Sequence, residues 1–134
     1  MKIVYKTEIS SAHRILNHKG KCKNLHGHNY FVIVEIESDE IDENGFIIDF
    51  LEIKKIINEL DHKVILQKND PLIEKLKDEN LFIMEESPSC ENISKIIAIK
   101  ISQLLKNYNR IKVRVWESRR SYAEFELANR LNFN

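Results

Sequence analysis

The stretch CKNLHGHNY, running from Cys22 to Tyr30, places a thiol, then two imidazoles separated by one glycine, ahead of a run that alternates like a β-strand. Residues i and i+2 of a strand point to one side about 7 Å apart, so His26 and His28 can both reach a single ion. Gly27 between them leaves the other side open for close packing. If the preceding segment is the antiparallel partner strand, His13 at its end lies beside His26 and His28. Three neutral nitrogens with an open fourth position describe a catalytic zinc better than a structural one, which is closed by four protein ligands. Cys22 fits two roles: a fourth ligand that closes the site, or an adjacent free thiol of lowered pKa that acts as base or nucleophile. Spacing leaves both open. His18 lacks a strand register and reads as solvated; Cys90, beside a helix start, reads as a small buried or capping-region residue.

The elements that must position these groups follow from periodicity. Residues 2–13 read as a strand with Ile3, Tyr5, Thr7, Ile9, Ser11 and His13 on one face, and residues 26–37 as a second, with His26, His28, Tyr30, Val32, Val34 and Ile36 together. A loop containing Gly20 joins them. Asn44-Gly45 signals a turn before a short returning strand, FIID. Asp49 then caps a helix whose buried stripe is Phe50, Ile53, Ile56, Ile57 and Leu60, ending near Asp61-His62. Residues 63–80 carry no clear period, and LFIME reads as a further short strand. SPSCEN opens a longer helix with Ile93, Ile96, Ile97, Ile101, Leu104, Leu105 and Tyr108 at helical spacing. RIKVRVWE alternates, with Ile111, Val113, Val115 and Glu117 on one parity, and SYAEFEL supplies a last strand with Ala123, Phe125 and Leu127 facing inward. The expected class is α+β: an antiparallel four-stranded sheet with two helices packed on one face.

Bulk properties narrow the chemistry. At 134 residues the chain is the size of one domain, expected to span 1–134, and needs no staple to fold. It carries 21 basic and 21 acidic residues spread along its length, which excludes the concentrated positive face of a nucleic-acid binder. Two cysteines make no disulfide framework, and MKIVYKTEISSAH lacks the apolar core of a signal peptide, so the expected setting is the reducing cytoplasm. No apolar run approaches the roughly 20 residues that span a bilayer.

Taken in order, SSAHRIL, CKNLHGHNY, IIDFLEIKKII, LDHKVIL, SPSCENI and VRVWES resemble the 6-pyruvoyl-tetrahydropterin synthase family over nearly the whole chain. The resemblance implies the tunnelling fold, a homohexamer built as a dimer of trimers with active sites at subunit interfaces, and one Zn2+ per subunit on His13, His26 and His28. It implies that Cys22 is the catalytic thiol, that Asp61 and His62 form a proton-relay pair, and that Glu117 anchors the pterin with Glu91 nearby. The substrate implied is 7,8-dihydroneopterin triphosphate. Three residues between the thiol and His26 is similar to the 6-carboxytetrahydropterin synthases of 7-deazapurine (queuosine) biosynthesis; pyruvoyl-forming members typically have a longer gap. Read without the family, Glu117 is either a solvated strand-end residue or a carboxylate in need of a partner on an apolar face, and Asp61-His62 is equally a helix C-terminal pair. The chain departs from the family pattern at Glu8-Ile9, where an aromatic residue is usual, and at Arg119-Arg120, which read either as triphosphate contacts or as a solvated turn. Lys19, Lys21 and Lys23 around the thiol carry the same ambiguity.

Overall fold

The structure is a computed structural model that describes residues 1–129. In chain order its elements are β1 (Lys2–His13), a single 3-10 turn (Lys21–Lys23), β2 (His26–Glu37), α1 (Phe50–Asn58), β3 (Val64–Gln67), α2 (Leu72–Lys75), β4 (Leu81–Met84), α3 (Cys90–Ser102), β5 (Arg110–Ser118) and β6 (Ser121–Ala128). Strands β1 and β2 pair antiparallel from Lys2 opposite Glu37 to His13 opposite His26. β5 pairs with β2, and β6 with β5, both antiparallel, which gives the expected four-stranded antiparallel unit. Two short strands extend it: β3 runs parallel to β1 and β4 parallel to β3, so the sheet has six strands in the order β4-β3-β1-β2-β5-β6.

The two longer helices pack on one face of this sheet. Val32, Val34 and Ile36 of β2 and Ile111, Val113 and Val115 of β5 meet Ile53 and Ile57 of α1 and Ile93, Ile97 and Ile101 of α3, all at most 1% exposed. Alternation in the strands and 3.6-residue recurrence in the helices bring these side chains together, and each buried isoleucine stabilises by about 1.5–3 kcal/mol. Helix starts are set locally: Asp49 accepts a hydrogen bond from Leu51 N–H, and Ser89 from Asn92 N–H.

Several expectations are corrected. FIID forms no returning strand; Ile47 and Ile48 are bends, and of the Asn44-Gly45 pair only Gly45 takes a positive φ, of 83°. Phe50 is 46% exposed instead of buried, lying over the ring of Tyr5 at 6.1 Å. Helix α1 ends at Asn58, which leaves Asp61-His62 in the turn leading to β3. Leu104, Leu105 and Tyr108 fall beyond α3. The unassigned segment 63–80 holds β3 and α2, both too short for a period to register.

One ion pair secures the chain directly after His13. Arg14 Nε donates to Asp70 Oδ2 at 2.8 Å and Arg14 Nη2 to Asp70 Oδ1 at 2.5 Å, while Asp70 Oδ1 also accepts Leu72 N–H at the start of α2. The Asp70 side chain is fully buried, and the arginine bond holds its carboxyl below the usual carboxylate range. A group whose folded pKa is depressed stabilises above its unfolded pKa, near 3.9, and that stability drains away as pH falls through the folded value. We expect Asp70→Ala to lower the unfolding free energy by about 3 kcal/mol at neutral pH, and Asp70→Asn to flatten the acid limb below about pH 4. Urea melts across pH check both.

Candidate metal centre and adjoining cavity

The pairing of β1 with β2 puts His13 directly across from His26, and the strand pleat returns His28 to the same side. One ring nitrogen from each of His13, His26 and His28 falls within a group whose atoms all lie within 4.8 Å of one another. Gly27 faces Ala12, and a Cβ there would lie 3.3 Å from the carbonyl oxygen of Ser11, so the glycine permits the close strand contact between the two histidines.

Hydrogen bonds determine which nitrogens face inward. His13 Nδ1 is 2.7 Å from the Pro88 carbonyl oxygen, and His26 Nδ1 is 2.7 Å from that of Asn24. A carbonyl only accepts, so both Nδ1 atoms carry the proton and both Nε2 atoms of the neutral rings carry lone pairs. Those Nε2 atoms face each other at 3.1 Å. Two lone pairs at that distance repel unless a cation lies between them. Two nitrogens bound to one tetrahedral zinc at 2.0–2.1 Å sit about 3.3 Å apart, so the spacing fits that ion, and an all-imidazole set with backbone carbonyls behind it is the chemistry zinc favours. Burial first, then the neighbouring imidazoles, keep His13 low in pKa; burial does the same for His28, and both are thereby held as the neutral ligand form.

His13 also borders a cavity of about 350 Å³ whose wall includes Cys22, Cys90, Glu91, Glu117 and Tyr122. Cys22 sits on the 3-10 turn, held where its carbonyl accepts Ile15 N–H at 2.7 Å; it is half-buried and stands outside the three-imidazole group. Glu117 continues the inward parity of β5 at a register shift between Trp116 and Ser118, a bulge that turns its carboxylate into the cavity. Glu91, in the first turn of α3, lies on the same wall.

Asp61 and His62 are brought together but not into that cavity. Asp61 Oδ1 accepts Ser10 N–H at 2.9 Å and lies 3.0 Å from His62 Nδ1; the Ser10 bond, then His62, lower its pKa. His62 is held at φ 56°, a costly conformation for a non-glycine residue, and its side chain is 80% exposed. His62 borders a separate open groove with Ser10, Asn29, Lys63 and His28. In one chain, therefore, the thiol lines one cavity and the imidazole of His62 another.

Arg119 and Arg120 occupy the exposed β5–β6 turn, away from the cavity wall, and Lys19, Lys21 and Lys23 are exposed. His18, though exposed, stands on the cavity rim, where a loop without register gave no signal. Cys90 is the buried residue at a helix start that its position implies, and its place on the cavity wall, like that of Tyr122, leaves no trace in the local sequence. Tyr122 lies tilted against Trp116 at 4.3 Å on the cavity wall, and it is exposed, as its parity on the solvent face implies.

Fold and site together define an α+β protein of the tunnelling fold with three histidines converging beside a cavity that holds a thiol and a carboxylate. Comparison with known proteins gives the family. The 6-pyruvoyl tetrahydropterin synthase family pattern matches residues 2–128, and the chain belongs to that family. A 6-carboxy-5,6,7,8-tetrahydropterin synthase from Aquifex aeolicus is 32% identical over 79% of this chain and 76% of its own. One from Rickettsia conorii is 35% identical over 70% of this chain and 75% of its own. Among solved structures, the 6-pyruvoyl tetrahydropterin synthase of Plasmodium vivax superimposes with a TM-score of 0.71 at 21% identity, covering 96% of this chain and 98% of that one, a likeness of fold.

Proposed function

We propose that this chain is a zinc-dependent 6-carboxytetrahydropterin synthase of 7-deazapurine (queuosine) biosynthesis, converting 7,8-dihydroneopterin triphosphate and one water to 6-carboxy-5,6,7,8-tetrahydropterin, acetaldehyde and triphosphate. The observation that carries the reading is the pair of opposed Nε2 atoms on His13 and His26, joined by His28, with His13 bordering the cavity that Cys22 and Glu117 also line. The relatives named above and the short gap between Cys22 and His26 favour the carboxy-forming outcome.

His13, His26 and His28 would hold the metal. Zinc bound there supplies Lewis acidity toward a substrate side-chain carbonyl, which lowers the cost of taking a proton from the neighbouring carbon. Cys22, beside but outside the ligand group, takes that proton as thiolate. Glu117 accepts the adjacent ring N–H and exocyclic amine of the pterin as two parallel hydrogen bonds, with Glu91 beside it and Tyr122 against the ring face. Asp61 orients His62 for the remaining proton transfer. Because His62 opens onto another groove, we propose that the pair completes the site of a neighbouring subunit. The free strand edges at β4 and β6 support closure of three sheets into a trimeric barrel, two of which stack as a hexamer. No described helix is long and apolar enough to cross a membrane, and both cysteines are unbridged; a cytoplasmic setting is proposed on that thiol state.

Incubation of the zinc-loaded protein with dihydroneopterin triphosphate, with separation of the pterins and assay of the aldehyde, tests the reading. Equimolar acetaldehyde and 6-carboxytetrahydropterin are expected. A 6-pyruvoyl product without acetaldehyde would assign the chain to the triphosphate-eliminating reaction instead; no turnover at all would favour a non-catalytic zinc scaffold.

A further inference from the structure

The cavity contains a second thiol with surroundings quite different from those of Cys22. Cys90 opens α3 and is 8% exposed, with its Sγ 3.4 Å from Glu117 Oε2. That contact is the one hydrogen bond given to the Glu117 carboxylate among the described residues. Helix capping does not require Cys90, since Ser89 already receives Asn92 N–H. Burial, and then Glu117, push the Cys90 thiol far above its ordinary range, so it stays protonated and can only donate to the carboxylate.

The geometry of recognition gives this contact a purpose. Receiving two parallel N–H donors requires both carboxylate oxygens to lie in the plane of the pterin edge. The terminal torsion of glutamate is broad and two-fold, so an untethered carboxylate rarely holds that plane. A donor fixed on Oε2 from α3 restricts the torsion before substrate arrives, and pre-ordering of this kind shows up as affinity. We propose that Cys90 is a positioning residue, whose S–H holds the Glu117 carboxylate in the orientation that accepts the paired N–H donors of the substrate ring. This rests on the reading of Glu117 as the pterin anchor.

Fluorescence titration of the zinc-loaded protein with neopterin, together with steady-state kinetics, tests it. Cys90→Ala is expected to weaken neopterin about tenfold, the effect of losing a hydrogen bond to a charged group, and to act on KM more than on kcat. Zinc content should not change, and Cys90→Ser, which keeps a donor, should recover most of the affinity. If Cys90→Ala does not fold, Cys90→Val against Cys90→Ser makes the same comparison, with Val weak and Ser near wild type. Wild-type affinity in the Ala or Val variant, alongside weakened binding in Glu117→Gln, would overturn the positioning role and leave the anchor standing. Equal weakening in Ser and in the apolar variants would also overturn it, because shape would then matter and not the bond. Undiminished binding by Glu117→Gln would remove the anchor reading itself.

Discussion

His26→Ala should purify without its metal and without turnover. Loss of a partner hydrogen-bonded behind a ligand already weakens metal binding by 10- to 100-fold, and removing one of three imidazoles exceeds that. His26 suits this test better than His13. The His13 ring is 2% exposed and its Nδ1 satisfies the Pro88 carbonyl, so its removal would disturb the core as well as the site. His26 is half-buried at the start of β2, and its Nδ1 contacts the Asn24 carbonyl in the loop. Metal analysis after dialysis, with circular dichroism to show a wild-type fold, checks the prediction; stoichiometric zinc in the variant would refute the ligand set.

Cys22→Ala should behave in the opposite way, keeping its zinc while kcat falls by about 10²- to 10⁴-fold, the range supplied by a positioned base. The distinction follows from placement. The three imidazole nitrogens cluster without Cys22, whereas the cavity beside them is lined by it. Single-turnover rates and metal content measured on one preparation separate the roles. If zinc leaves with the thiol, Cys22 is a ligand, and the centre is structural.

Much of this architecture was legible in the chain because its strands alternate strictly. The parity of Ile9, Ser11 and His13 on β1 and of His26, His28 and Tyr30 on β2 is the parity seen, and together with antiparallel pairing of the two strands it predicts the convergence of the histidines. Glu117 followed from the same rule applied to β5, though not the bulge that aims it, since a register shift leaves no periodic trace. Strand β3 escaped notice because four residues buried between neighbours show no alternation, and its pairing with β1 is parallel and far from local. Helical spacing gives a face but not its edges: Phe50, at the first position of α1, covers Tyr5 and not the core. The contact between Cys90 and Glu117 spans 27 positions between a helix start and a strand end, and nothing in either local sequence records it. The open position of His62 is equally hidden, because the helical spacing runs on past Asn58, where α1 ends.

Zinc K-edge X-ray absorption on the wild-type protein distinguishes a metal held by three histidines, with the neighbouring thiol free for chemistry, from one closed by Cys22. The expected spectrum shows a shell of nitrogen and oxygen scatterers at about 2.0–2.1 Å with imidazole outer-shell features and no sulfur. A sulfur scatterer at about 2.3 Å would place Cys22 on the metal and contradict it.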